Sequence, residues 1–197
     1  MAEVGLRERE KRRRRDAILS AAFALFTERG YAATTTTDIA ERAGVSERTV
    51  RLYFPAKQDM AVNRFTTSTD RLVQALENRP DGVSALDVIA DYLHQKESEP
   101  DSDGLRETSR QMFVANPSLR ALRWTYAGNP LAALTKALAS DLSLPGDHQG
   151  AALAASAAQA ILLDLADQAP GPQHSASVDL ALAMLTGLVR ALSENSG

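Results

Sequence analysis

The sequence predicts an all-α protein in two parts, an N-terminal three-helix domain built on a helix-turn-helix and a larger C-terminal helical domain, about nine helices in all. Three observations carry this. Apolar residues recur at helical spacing through almost the whole chain, and little of it alternates as a strand does. The periodic stretches are punctuated by Pro and Gly clusters at Arg79-Pro80-Asp81-Gly82, Glu99-Pro100-Asp101, Asn116-Pro117, Gly128-Asn129-Pro130, Leu144-Pro145-Gly146 and Ala169-Pro170-Gly171-Pro172. Finally, Thr34 to Phe54 contains two short capped segments joined by a glycine, the grammar of a helix-turn-helix.

The first helix is expected over about Arg9 to Arg29, because Ile18, Ala21, Ala22, Leu25 and Phe26 fall at i, i+3, i+4, i+7 and i+8. Gly30 ends it. Thr35 is then an N-cap with Asp38 three residues on, an acidic variant of the capping box, and Ile39, Ala40 and Ala43 supply a buried face. Gly44 stands where a left-handed C-cap is needed. Ser46 caps a third helix whose Val50 and Phe54 face inward, and Pro55 stops it. Further helices are expected over about 57–78, 84–98, 102–115, 118–143 with a bend near Gly128 to Pro130, 148–168 and 175–194. The 170–177 stretch is a loop, and no internal repeat is visible. The domains are placed at 9–56 and 57–197.

Composition excludes several classes. A 197-residue chain with 44% hydrophobic content holds enough apolar material for a packed core. No run of 18 consecutive apolar residues is present, so no membrane-spanning helix is expected. The N-terminal segment is too charged for a secretory signal, and a cytoplasmic location is the expectation. With no cysteine, and with His94, His148 and His174 scattered, neither a metal site nor a cofactor is expected. No Ser-His-Asp order, phosphate loop or paired carboxylate stands out, so no catalytic residue is proposed.

Net charge is only −3, but it is unevenly spread. Residues 1–64 carry 13 Lys and Arg against 9 Asp and Glu, whereas residues 65–197 carry 9 against 16. Seven of the nine residues from Arg7 to Arg15 are basic, directly before the first apolar stripe.

On a helix starting at Ser46, the side chains not spent on the core include Glu47, Arg48, Thr49, Arg51, Leu52 and Tyr53. Arg48 and Arg51 each have the fork that donates to guanine O6 and N7 in the major groove of double-stranded DNA, and Leu52 suits a thymine methyl. Thr35, Ser46, Thr49, Tyr53 and Lys57 suit phosphates, and Thr36 is placed in the same DNA-facing set. Arg12, Arg13, Arg14 and Arg15 extend along the backbone or into a minor groove, which makes affinity fall steeply with salt. Two blander readings compete: an αα-corner with solvated arginines, and a membrane-surface anchor built on the basic helix. The anchor leaves the cap-turn-cap segment without a purpose.

Thr34-Thr35, Ile39-Ala40, Ala43-Gly44-Val45-Ser46, Thr49-Val50, Tyr53-Phe54-Pro55 and Lys57 resemble the N-terminal pattern of the TetR family of bacterial transcriptional regulators, a likeness covering residues 9–60. One departure stands out, since that family usually carries an aromatic residue, most often Tyr, where this chain has Arg51. The resemblance implies a homodimer whose C-terminal domain binds a small-molecule effector and thereby controls the separation of two reading heads. Repression, relieved when the effector releases the protein from a palindromic operator, is the implied mode.

The last two expected helices, about 148–168 and 175–194, are assigned to dimerisation on composition as well. Ala151, Ala152, Ala154, Ala155, Ala157, Ala158 and Ala160 allow close approach, and Ile161, Leu162, Leu165, Leu180, Leu182, Leu185, Leu188, Val189 and Leu192 supply apolar area. Tyr92, His94, Met112, Phe113, Trp124 and Tyr126 are the candidate effector contacts, since they mix aromatic, adaptable and hydrogen-bonding groups.

Overall fold

A computed structural model describes the backbone of residues 2–101, 103–126 and 128–195; the side chains of 2–5, 120, 124, 126, 128, 129 and 195 also lie outside the described residues. Among the described residues every regular element is α-helical: α1 Ala2–Arg29, α2 Thr36–Ala43, α3 Glu47–Tyr53, α4 Lys57–Glu77, α5 Ala85–Ser98, α6 Leu105–Ala115, α7 Pro117–Tyr126, α8 Gly128–Asp141, α9 Gln149–Leu165 and α10 Pro172–Asn195. The all-α expectation holds. The helix expected over 118–143 is described as two segments, α7 and α8, with residue 127 outside the description.

The chain forms two compact units, and they do not follow chain order. The first comprises Met1–Arg64 with Asp101–Trp124, and the second Phe65–Pro100 with Thr125–Gly197. The motif boundary at 56/57 therefore does not coincide with the packing boundary. The reason lies in α6, which packs along α1 and adds Leu105, Met112 and Phe113 to the same core as Ile18, Phe23, Phe26, Ile39, Val50 and Met60.

In the first unit, α1 begins well before Arg9. Arg, Lys and Glu lose little rotamer freedom in a helix, and Glu10 with Arg14 forms an i,i+4 pair at 3.8 Å. Its apolar stripe is buried as expected, with Ile18, Ala22 and Phe26 at 0% exposure. Gly30 closes α1 at φ +86°, a conformation in which a β-carbon is strained. Asn116 then ties this end to α6: its side-chain Nδ2 donates to Phe26 O at 2.8 Å and Met112 O at 2.9 Å, while Oδ1 accepts the Tyr31 N–H at 2.7 Å. All three bonds are local to the first unit.

In the second unit, Leu72, Leu76, Ile89, Leu93, Leu134, Leu138, Ala154, Ala155, Ala158 and Leu185 form one apolar core. α8 packs on α9 and α9 on α10. Ser84 and Asp87 make a reciprocal capping box at the start of α5. Arg79 donates to Asp141 at 2.6 Å and to Ala137 O at 3.2 Å, and Asp141 also accepts the first amide of α5 from Ala85 at 2.6 Å.

No membrane-spanning helix is expected from the sequence, yet one helix among the described residues is long and apolar enough to cross a bilayer by length and composition alone. Within Pro172–Glu194 of α10, an 18-residue window has a mean hydropathy of 1.4, and only 17% of that window is buried. An average tolerates Ser, Thr, Gly and a pair of charges, which an uninterrupted apolar run does not.

Candidate nucleic-acid interface

Local chemistry fixes the angle between α2 and α3. Thr35 Oγ1 accepts the Asp38 N–H at 3.1 Å, and Asp38 Oδ2 accepts the Thr35 N–H at 2.8 Å, so both orphan amides of the first turn are satisfied. The Thr35 hydroxyl, which also donates to Asp38 Oδ2, and then the Thr35 N–H hold the Asp38 carboxyl below its ordinary 3.8. Gly44 takes φ +66°, ψ +33°, and the Val45 N–H reaches back to Ala40 O at 3.0 Å, ending α2. Ser46 Oγ accepts the Thr49 N–H at 3.1 Å and so starts α3.

With that angle fixed, α3 spends Val50 and the following Phe54 on the core and turns Arg48, Arg51 and Leu52 outward. Leu52 is 81% exposed, next to Arg48 on the outward face. An apolar tip beside a guanidinium fork suits a groove lined by base edges and methyl groups. Thr49 and Tyr53 are half-buried on one flank of this face.

Of the basic arm, Arg12, Arg13 and Arg14 are exposed along α1, whereas Arg15 is half-buried with its guanidinium 5.4 Å from the centre of the Phe54 ring. Arg15 thus packs against the residue that ends α3. The neighbouring Asp16 carboxyl is pushed up, chiefly by burial and then by Asp103, against the pull of Arg15, Arg12 and Arg64.

Several residues expected at phosphates are engaged inside the protein. Lys57 Nζ donates to Tyr31 O at 2.8 Å and Thr34 O at 2.9 Å and stands 4.3 Å from the Tyr31 ring centre. Burial pulls its ammonium below the usual lysine range. Lys57 therefore fastens the connector between α1 and α2. The Thr35 and Ser46 hydroxyls serve as caps, and Thr36 Oγ1 donates to Glu47 Oε1 at 3.2 Å.

Glu47 is a residue of this face that the expected DNA contacts leave out. Its carboxylate accepts from Arg51 Nη2, Thr36 Oγ1 and Thr37 Oγ1, linking the outward face of α3 to the first turn of α2. The i,i+4 spacing of Glu47 and Arg51 was available as a signal; the threonine contacts across the turn were not. A second bridge, Arg42 to Glu28 at 2.7 Å on both nitrogens, ties α2 to α1.

The candidate effector contacts do not form one cluster within either unit. Met112 and Phe113 are buried in the core of the first unit, with the Arg123 guanidinium 3.9 Å from the Phe113 ring centre. In the second, Tyr92 is half-buried and hydrogen-bonded to Ser68 at 2.6 Å, and His94 is exposed. The side chains of Trp124 and Tyr126 lie outside the described residues. Among the described residues no group of three or more His, Asp or Glu is placed to hold a metal ion.

Residues 18–62, which include α2, its turn, α3 and Lys57 but not the basic arm, match the family model described as bacterial regulatory proteins, tetR family. The chain is 36% identical over 86 residues to the HTH-type transcriptional regulator TcmR of Streptomyces glaucescens, covering 44% of this chain and 38% of that one. It is 32% identical over 116 residues to the HTH-type transcriptional activator FasR of Mycolicibacterium smegmatis, covering 55% and 51%. The matches thus span about half or less of these relatives. Among solved structures, Salmonella enterica GusR superposes with a TM-score of 0.64 at 19% identity, covering 90% of this chain and 95% of that one, a likeness of fold.

Proposed function

We propose that this chain, whose residues 18–62 match the model of the tetR family of bacterial regulatory proteins, is a dimeric, sequence-specific DNA-binding transcriptional regulator. The observation that carries the reading is the outward face of α3. Arg48, Leu52 and Arg51 are presented together on a short helix whose position is held by two caps, a left-handed glycine and the Arg42–Glu28 bridge. Residues 9–56 would carry DNA recognition, and residues 57–197 dimerisation and effector binding.

Support for the dimer comes from the second unit. Leu153, Leu180 and Met184 are 64%, 62% and 58% exposed, and a groove of about 380 Å³ between α9 and α10 is lined by Ala157, Ile161, Met184, Leu185, Gly187 and Leu188. Two copies of this α9–α10 face would make a four-helix interface and space two recognition helices about 34 Å apart, one turn of DNA. Asp179 and Arg190 on exposed positions of α10 favour a protein interface over a bilayer, where each charge costs about 2.5 to 3.5 kcal/mol.

The mode proposed is repression of a palindromic operator in the cytoplasm, relieved by a small molecule that stabilises a head spacing the operator does not accept. No catalytic role is proposed. Gel shift with the DNA upstream of its own gene tests the first step. Saturable binding to a palindrome, weakened by Arg48→Ala on some sequences more than others, supports it; equal binding to any DNA, or none, overturns it. Transcription from that DNA in vitro tests the sign, since repression requires fewer transcripts with protein present and activation requires more.

A further inference from the structure

We infer that Glu47 determines sequence specificity as a positioning residue: tied to Thr36 and Thr37 of α2, its carboxylate presets the Arg51 guanidinium to read a guanine edge. The inference rests on the DNA-binding reading above and goes beyond it, because it assigns Arg51 to a base instead of a phosphate and gives a role to a residue of the wrong charge for DNA.

A carboxylate on the recognition helix approaches a polyanion, which makes it costly unless neutralised. Here three donors converge on it: Arg51 Nη2 and Thr36 Oγ1 on Oε1, and Thr37 Oγ1 on Oε2, the last two at 3.2 and 3.3 Å. Those contacts, that of Arg51 foremost, hold the Glu47 carboxyl below the usual glutamate range, so it stays anionic at neutral pH. The two threonines anchor the carboxylate to a different helix, and Arg51 has therefore one preferred direction on a side chain that is 66% exposed.

Two consequences distinguish base reading from phosphate binding. A guanidinium is planar with five donors in a fixed fork, so holding Nη2 sets the direction of the group and leaves the other nitrogens free to face a bidentate acceptor. Guanine O6 and N7 are such an acceptor pair. The Glu47–Arg51 pair is also close to neutral as a unit. It releases few counterions and adds little to phosphate affinity, while its remaining N–H donors keep their full directional value.

Selection of bound sequences from a randomised DNA library by the full-length chain, with binding titrations at several salt concentrations, tests this. The wild type is expected to enrich a G·C pair at one position of each half-site. Arg51→Ala loses that preference, roughly tenfold or more, and with the Glu47 carboxylate uncovered also binds non-cognate DNA more weakly. Glu47→Ala loses the same preference yet binds non-cognate DNA more tightly and with a steeper slope, by up to about one unit, because an arginine charge is uncovered. Glu47→Gln keeps an oxygen acceptor for Arg51; it is expected to retain part of the preference and also to steepen the slope, and it decides the matter should Glu47→Ala fail to fold. An unchanged base profile in both Glu47 variants overturns the inference, as does an Arg51→Ala variant weakened equally on all sequences. A wild type that enriches no motif would instead remove the DNA-reading proposal itself, and this inference with it.

Discussion

Asn116 shows how much of the DNA-binding unit depends on one side chain. Its amide group uses one oxygen and both hydrogens on Tyr31 N, Phe26 O and Met112 O, and it is only 7% exposed. Truncation takes the acceptor from the Tyr31 N–H in the packed junction of α1 and α6 and one of two donors from Phe26 O, which keeps the Gly30 N–H, at a cost of about 1 to 3 kcal/mol. Asn116→Ala should therefore lower stability by that amount in denaturant titration and weaken DNA binding through the loosened end of α1; an unchanged midpoint would show the junction does not depend on it. Lys57 presents the opposite case, a cation whose sequence context pointed to DNA and whose bonds point inward. Lys57→Met keeps the stem and removes the donors to Tyr31 O and Thr34 O. With the ammonium partly solvent-screened, the expected loss is about 1 kcal/mol of stability, with no change in the salt dependence of DNA binding. A salt slope reduced by about 0.9 would instead identify Lys57 as a phosphate contact.

The same division between local and distant partners governs the elements. α2, its turn and α3 were legible in the sequence because everything that defines them is within a few residues: Thr35 with Asp38, Gly44 in the left-handed region, and Ser46 with Thr49. The Thr36 and Thr37 bonds to Glu47 cross the turn, and Asn116 reaches α1 from residues 85 and 90 positions away, so no spacing rule exposes them. The onset of α1 was missed for another reason: expectation followed the apolar stripe, while a run of Arg, Lys and Glu propagates a helix without one. Two tests belong at this scale. Gly44→Ala forces a β-carbon into φ +66° with no neighbour within 4 Å to compensate, so the cost is backbone strain of about 1 kcal/mol, and loss of DNA binding should exceed loss of helicity. Acid should also weaken the elements capped by carboxylates. Asp38 and Asp87 have folded values below the unfolded one because they accept hydrogen bonds from Thr35 and Ser84. The stability they contribute is therefore fully present above the ordinary aspartate value of 3.8 and is lost as pH falls through the lowered values. Asp16, whose folded value is raised by burial, works in the other direction, losing its contribution as pH rises through that value. Melting followed from pH 6 down to 2 should show acid loss that Asp38→Asn and Asp87→Asn diminish; equal pH profiles would mean the caps carry none of it.

For the molecule as a whole, α9 and α10 pose the problem of an apolar surface without a partner in the single chain. Ala151, Ala154, Ala155 and Ala158 of α9 are buried within the second unit, as composition suggested, but Leu153, Leu180 and Met184 are turned to solvent on the same two helices. Burying a leucine or methionine side chain yields about 1.5 to 3 kcal/mol, and a two-fold contact counts each residue twice. Leu180→Glu with Met184→Glu should therefore give a monomer by analytical ultracentrifugation while α-helical content is preserved, since neither side chain belongs to the buried core of its own unit. Its effect on DNA follows from linkage: a dimer binds the second half-site at an effective concentration set by its partner, and a monomer loses that advantage, about 100-fold or more on a palindrome. On a single half-site the variant and the wild type should bind alike, because α3 and its caps lie entirely in the first unit. A double variant that stays dimeric, or that weakens on half-site and palindrome equally, would place the dimer contact elsewhere and leave the exposed leucines of α9 and α10 for another partner.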